Sequence, residues 1–273
     1  MTDTSPQSTA LTRQMLWVAC LLLLTKAIGA SKEVLLASAY GTGPLMDAYQ
    51  FTLQMVSWPV SIFLAIGSAA LVPAYAALQT QTPQQLQRFR AQVHGATLAL
   101  ALVLSLAWVT ASLHSPLLNA WSGLTDSAQQ HATQFALPMT WLMACGIYAA
   151  LLMAECISGQ HQISTLLESA PALVLGALLL ATTAPGFDTL VLGTVGGAVA
   201  QVLLLAVCTA WYMRLPLPSI RWQHSAWPPL LAALGTLLLA QVLQLECLPP
   251  IQDPQADPAI ALAALAQRSG PAA

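Results

Sequence analysis

Long runs of apolar residues dominate the chain, and short stretches between them contain most of the polar and charged positions. A bilayer hydrocarbon core about 30 Å thick needs about 20 mostly apolar residues in a helix. By that measure the pattern predicts membrane-spanning helices at roughly 13–39, 47–78, 92–113, 132–157, 163–183, 188–212 and 227–245. The runs do not alternate polar with apolar residues as the strands of a membrane barrel do. The predicted fold class is therefore an all-α polytopic bundle of about six to seven spans.

The few basic residues predict the orientation of these spans, because cytoplasmic loops are enriched in Lys and Arg. The loops after the first, third and fifth spans contain neither. We therefore expect a cytoplasmic N-terminal tail over residues 1–12, followed by a transmembrane lobe over residues 13–245. The basic residues that mark the inner side are Arg13 before the first span, Arg88 and Arg90 after the second, and Arg214 and Arg221 after the sixth.

The C-terminal stretch 246–273 fits this pattern poorly, since it is rich in Pro, Asp and Ala and its apolar part is too short to span. We expect an irregular tail there. Arg268 would lie on the outer side if the seventh run crosses the bilayer. Whether residues 227–245 form a true crossing is left open by the sequence.

The composition supports a membrane protein and excludes several other classes. Of 273 residues, 57% are hydrophobic and only 7% are charged, whereas an ordinary soluble domain has about 25% charged residues. The formal net charge of −2 argues against a nucleic-acid binder. The five cysteines are scattered singly, which is typical of small buried hydrophobic residues rather than of metal ligands.

Charged residues inside the first span are the strongest functional candidates, because ionisable groups at membrane depth are costly and usually face a cavity. Lys26, Lys32 and Glu33 surround Gly29. At about 100° per residue, Lys26 and Glu33 fall on one face and Lys32 lies about 120° away from Lys26. Gly29 permits close packing or a bend, so we treat it as a candidate hinge. The alternative is that Lys32 and Glu33 pair locally or reach the headgroups near the outer end of the span.

The second span offers an acid at its start and prolines within it. Asp47 is placed to cap the helix N-terminus and complement its dipole, and it is also a candidate partner for a lysine of the first span. Pro59 and Pro73 are expected to kink or interrupt this helix. Broken helices inside a membrane are tolerated where they are buried in protein or line a cavity, so Pro59 is a second candidate hinge.

Two further acids flank the short loop after the fourth span. We expect Glu155 to be solvated at the interface, with contact to Arg88 or Arg90 as the alternative. Glu168 lies some five residues into the fifth span, where we expect a buried partner.

The sequence contains no catalytic constellation. The five histidines are dispersed, with no spacing typical of a metal site, and neither a phosphate-binding glycine loop nor a nucleophile elbow occurs. We therefore predict a protein that is not an enzyme and has no cofactor or metal.

The segment from Thr25 to Tyr75 resembles the MurJ/MviN lipid-linked oligosaccharide flippases of the MOP (MATE-like) superfamily. That family carries an S-R-x-x-G-x-x-R-[DE] pattern, an aromatic-G-x-G, a D-A-[FY] and an F-V-P, in this order. The matching residues here are Thr25–Glu33 (TKAIGASKE), Tyr40–Gly43 (YGTG), Asp47–Tyr49 (DAY) and Leu71–Pro73 (LVP).

The resemblance implies a flippase, or its N-terminal lobe, that moves an undecaprenyl-diphosphate-linked saccharide across the bacterial inner membrane. Lys26 and Lys32 stand where the family has arginines, and Asp47 stands at the acid of its D-A-[FY] motif. Family members that flip lipid II carry basic residues and a Glu in the second helix. The corresponding segment here, residues 57–65, is uncharged, which favours an exopolysaccharide repeat over lipid II as the saccharide.

The family implies membrane lipids and a polyprenyl-diphosphate-linked saccharide as partners. It also implies two lobes around a central cavity, so a second lobe or a second copy of the chain is a further expected partner. Two other functions stay open: a truncated fragment or interaction subunit that does not transport, and a MATE-type exporter of small cations. The net positive charge of the first span disfavours the exporter.

Overall fold

The computed structural model describes residues 6–79, 82–113, 124–159, 163–213 and 215–219, together with a few positions between 227 and 239. Within the described residues the regular structure is helical, which confirms the all-α prediction. Up to Tyr212 the helices are α1 (Pro6–Tyr40), α2 (Pro44–Gln79), α3 (Pro83–Leu113), α4 (Asp126–Ser158), α5 (Ile163–Leu167), α6 (Ala170–Ala181) and α7 (Phe187–Tyr212).

Several of these helices are suited to a bilayer, and the chain is a multi-pass membrane protein. α1 is 35 residues long, which corresponds to about 52 Å, but its apolar part contains Lys26, Lys32 and Glu33. Among the described residues, the segments long and apolar enough to cross are Pro44–Gln79, Pro83–Ser112, Asp126–Ser158, Ser164–Ala181 and Phe187–Tyr212.

The two N-terminal helices are longer than the sequence pattern predicts. α1 begins at Pro6, so it includes part of the expected tail 1–12. α2 continues through both Pro59 and Pro73, so the expected interruption of this helix is absent. A membrane helix tolerates a proline when neighbouring helices support it. Such support is present at Val60, which packs closely against α4.

The predicted fifth span at 163–183 is divided in two. α5 ends at Leu167 and α6 begins at Ala170, because the chain turns at Glu168 and Ser169. Pro171, at the start of α6, has no backbone N–H to donate, which suits the first turn of a new helix. Most of the predicted seventh span at 227–245 and all of the predicted tail at 246–273 lie outside the described residues.

Two close helix pairs form the bundle core: α2 packs on α4, and α6 packs on α7. The first pair meets at Gly146, where a Cβ atom would lie 2.8 Å from Val60 Cγ1. The second meets at Gly197, where a Cβ would lie 2.7 Å from the Cα of Pro171. Glycine is required at these positions because any larger residue would push the helices apart. The central buried side chains are Leu36, Tyr49, Val56, Phe135, Met139, Met143, Ile147, Leu175 and Leu190.

The chain divides into two compact units, Met1–Leu231 and Ala232–Ala273, and the second lies almost entirely outside the described residues. In the first unit, the segment after α7 packs on α3. The Ser219 amide donates to the Ala91 carbonyl at 2.8 Å, and Gly95 has no side chain to block the approach of Ser219. Trp227 is buried and donates from Nε1 to Oε1 of Gln92 at 2.7 Å.

Candidate functional site

Lys26, Lys32 and Glu33, the charged residues in the apolar part of α1, lie on two faces of the helix. Lys26 and Glu33 are exposed on the face that the helical spacing predicts they share. Lys32 points towards the packed face, with 18% of its side chain exposed, and its Nζ lies 2.8 Å from Oε1 of Glu33. Lys32 is therefore locally paired, as the alternative interpretation of the sequence had it. Lys26 has no ion-pair partner among the described residues.

Asp47 lies in the first turn of α2 and is exposed. A carboxylate there complements the positive end of the helix dipole. Within the described residues no ion pair joins Asp47 to Lys26 or Lys32, so the proposed contact between the two helices is absent in this structure.

The two candidate hinges lie within continuous helices. α1 continues through Gly29, and a Cβ atom there would meet no neighbouring atom within 4 Å. Gly29 therefore does not mark a point of close packing. Pro59 lies inside the unbroken α2. A hinge role for either residue stays a prediction.

α1 and α2 follow each other in the chain but pack on different neighbours. α1 packs on α5 and α6, and Thr25 Oγ1 donates to the carbonyls of Leu21 at 2.9 Å and Thr165 at 3.3 Å. α2 packs mainly on α4 and less on α3. Near the α1–α2 turn, Tyr40 donates its hydroxyl to the Gly186 carbonyl at 2.9 Å. Each of these two helices therefore has one face that does not pack on the described part of the bundle.

The outward face of α2 carries several polar side chains beside the apolar Met55 and Trp58, and sequence reasoning missed them. The buried residues Tyr49, Thr52 and Val56 recur at intervals of three and four, as one helix face requires. On the opposite face, a row of polar side chains is exposed, except for its last member, which is half-buried. We call this row the polar stripe: Asp47, Gln50, Gln54, Ser61 and Ser68. The intervals between these polar residues, three, four, seven and seven positions in a mostly apolar run, were the signal that could have found the stripe.

The side chains of the polar stripe use little of their hydrogen-bonding capacity within the protein. Gln50 Nε2 makes only a weak contact with the sulfur of Met46, at 3.9 Å. The amide of Gln54 has no partner among the described residues. Ser61 and Ser68 donate to carbonyls of their own helix, those of Trp58 at 2.8 Å and Ala65 at 3.1 Å.

A separate group of charged residues is buried between α3 and α4. The Glu155 carboxylate accepts hydrogen bonds from Arg90 Nε at 2.9 Å and Nη2 at 2.8 Å, and it lies 3.1 Å from His94 Nε2. The other ring nitrogen of His94 lies 3.0 Å from the Tyr148 hydroxyl. The exposed fraction of Arg90, His94 and Glu155 is at most 2%. We call these four side chains the buried ion cluster: Arg90, His94, Tyr148 and Glu155.

The positions of Glu155 and Glu168 correct two of the sequence-based expectations. Glu155 was expected to be solvated and is instead 1% exposed, with Arg90 as its partner, which was the alternative. Glu168 was expected to have a buried partner and is instead exposed between α5 and α6. The helix break at this point places Glu168 at the surface. Because its charged members are buried and bonded to one another, the cluster is suited to holding α3 against α4 rather than to binding a ligand.

No group of three or more His, Cys, Asp and Glu side chains that could hold a metal ion occurs among the described residues. Two exposed surfaces remain as candidates for binding: Lys26 and Glu33, which we call the charged face of α1, and the polar stripe of α2.

Comparison with solved structures identifies a similar fold. The chain matches a structure of the lipid II flippase MurJ in an inward-closed conformation, with a TM-score of 0.63 and 14% sequence identity. The match covers 83% of this chain and 48% of that one, so it spans about half the length of MurJ. No family model matches the sequence, and no curated protein matches it. The likeness establishes a shared helical fold.

Proposed function

We propose that this chain forms a lobe of a flippase that moves a polyprenyl-diphosphate-linked saccharide, an exopolysaccharide repeat or lipid II, across the cytoplasmic membrane. The shared fold with MurJ supports this proposal, since that protein is a lipid II flippase. The observation that carries it is the exposed ammonium of Lys26 on a helix of a membrane bundle. An unpaired cation at membrane depth is costly unless it faces water or an anionic group.

The charges of α1 suit a diphosphate group. Lys26 supplies a cation with no counter-ion among the described residues, and a lysine ammonium binds phosphate as a point charge. Lys32 is held by Glu33 at 2.8 Å and can add a second contact if that exposed carboxylate turns away. Lysine lacks the two-pronged geometry of arginine, so these contacts tolerate variation in the position of the phosphates.

The same proposal includes an orientation and a partner. The basic residues Arg13, Arg88, Arg214 and Arg221 favour a cytoplasmic N-terminus in the inner membrane. The match to about half of MurJ favours assembly with a second lobe or a second copy of this chain, with the charged face of α1 turned towards it.

The binding experiment uses the full chain in lipid nanodiscs with fluorescent undecaprenyl diphosphate as the probe. Replacing Lys26 with Gln should weaken binding by about 10-fold, because one charge-assisted contact in a partly hydrated site is lost. Lys26→Arg should retain most of the affinity. The effect should shrink as salt is raised, since screening weakens exposed charge pairs.

Arg88→Gln is the matched control, because Arg88 is also an exposed cation but lies at the start of α3, outside the candidate site. It should leave the affinity unchanged. The proposal fails if Lys26→Gln and Arg88→Gln have the same effect. It also fails if the unaltered protein binds the diphosphate no more tightly than phosphatidylglycerol.

A further inference from the structure

Lipid hydrocarbon is an unfavourable environment for the polar stripe of α2. Gln50 and Gln54 present primary amides whose hydrogen-bonding groups are not satisfied within the described part of the protein. In a bilayer core no solvent is available to satisfy such groups, so polar side chains turn towards protein or a water-filled cavity. Because the buried face of α2 already packs on α4, the stripe must border a hydrophilic space or another chain.

The polar stripe extends along α2 and is not confined to one turn of the helix. From Asp47 to Ser68 there are 21 helical positions, or about 32 Å at 1.5 Å per residue. This matches the thickness of the hydrocarbon core, which is about 30 Å. Ala65, which lies between Ser61 and Ser68 on the same face of α2, is exposed and has a small side chain.

We propose that the polar stripe lines the path of the saccharide and that Gln50 and Gln54 form hydrogen bonds with its hydroxyl groups. This inference rests on the proposed function and adds a recognition element for the part of the substrate that the lysines do not contact.

The chemistry of the stripe suits an uncharged, hydroxyl-rich ligand. A primary amide offers two donors and an acceptor, and sugar hydroxyls both donate and accept. Asp47, at one end, is the only charged member of the stripe, so an ionic ligand would find little charge along it. Trp58, which is 50% exposed, flanks the two glutamines and offers an aromatic surface to the apolar faces of sugar rings.

A cysteine-accessibility experiment tests the hydrophilic path without reference to any substrate. In a variant whose native cysteines are replaced by alanine, single cysteines are placed at Gln50, Gln54 and Ser61. We expect a membrane-impermeant maleimide to label all three in membrane vesicles. The matched controls are Leu203→Cys and Val207→Cys on α7, which are exposed but apolar and should stay unlabelled.

Two results of that experiment would overturn the inference. One is that the stripe cysteines react as slowly as the α7 controls. The other is that they form disulfides between two copies of the chain under mild oxidation, in which case a second copy covers the stripe.

A binding experiment with the native cysteines in place tests saccharide recognition. The affinities of undecaprenyl diphosphate and of the same lipid carrying a disaccharide are compared in nanodiscs. The unaltered protein should bind the glycosylated lipid at least about 10-fold more tightly, because hydrogen bonds to the sugar add to the phosphate contacts. The Gln50→Leu/Gln54→Leu variant should lose this difference while keeping the affinity for the bare diphosphate. Met55→Leu, an exposed neighbour outside the stripe, should retain the difference.

The outcomes separate this inference from the proposed function. If the unaltered protein binds neither lipid, the proposed function fails and the saccharide role fails with it. If it binds both lipids equally, or if the double variant still prefers the glycosylated lipid to the same extent, the diphosphate site stands and the stripe does not recognise the saccharide.

Discussion

Replacing Glu155 with Leu should destabilise the bundle more than any substitution at an exposed acid. The carboxylate accepts two hydrogen bonds from Arg90 and lies 3.1 Å from His94, and its side chain is 1% exposed. The substitution would take away the carboxylate that accepts these two hydrogen bonds from Arg90, whose side chain is 3% exposed. Breaking a buried ion pair from one side costs about 3–5 kcal/mol.

That cost corresponds to a lowering of the unfolding midpoint by roughly 6–20 °C for a chain of this size. The measurement is thermal unfolding of the purified protein in detergent, followed by tryptophan fluorescence. Glu168→Leu is the matched control, because Glu168 is an exposed acid at the α5–α6 junction. A surface substitution of that kind should change the stability by no more than about 0.5 kcal/mol.

A double substitution distinguishes loss of the ion pair from general damage to the core. Arg90→Met combined with Glu155→Leu removes both charges and fills the space with apolar atoms, which often restores stability. The double variant should therefore be more stable than Glu155→Leu alone. The reasoning is refuted if Glu155→Leu unfolds at the temperature of Glu168→Leu. It is also refuted if the losses of stability caused by Arg90→Met alone and Glu155→Leu alone simply add in the double variant.

Two neighbouring glycines of α7 should respond differently to replacement by alanine. Gly197→Ala should destabilise the protein by about 1–3 kcal/mol, because the new Cβ would lie 2.7 Å from Pro171 Cα. Gly196→Ala should be neutral or stabilising by up to about 1 kcal/mol, because its new Cβ would have no neighbouring atom within 4 Å. Detergent unfolding measures both, and equal effects would contradict the packing of α6 on α7. The orientation is tested with single cysteines at Gln84 and Asp126, which are exposed near the starts of α3 and α4. The cysteine at Gln84 should be labelled from the cytoplasmic side and the cysteine at Asp126 from the outer side. Labelling of both by an impermeant reagent in intact cells would contradict the proposed topology.

The sequence located most helices well and predicted their neighbours poorly. Apolar runs predicted α2 to within a few residues and α7 at 188–212, because a long apolar run in a bilayer favours a helix whatever its neighbours are. The division of the fifth span at Glu168 was not predicted, although Pro171, which suits the first turn of a new helix, was a local signal for it. Pro59 was expected to kink or interrupt α2, and the helix is not interrupted there. Val60 packs against Gly146 at this point, and no local pattern reveals that contact.

For the candidate site, the sequence by itself determined that Lys26 and Glu33 share a face of α1, because helical periodicity depends only on spacing. The Lys32–Glu33 pair is a contact between chain neighbours, which the sequence already offered as an alternative. Tertiary structure decided that Asp47 forms no ion pair with either lysine among the described residues. It also decided that Glu155 is buried against Arg90, 65 positions away, and that the glutamines of α2 face outwards. Burial and ion pairing depend on which helices pack together, and distant parts of the chain determine that packing.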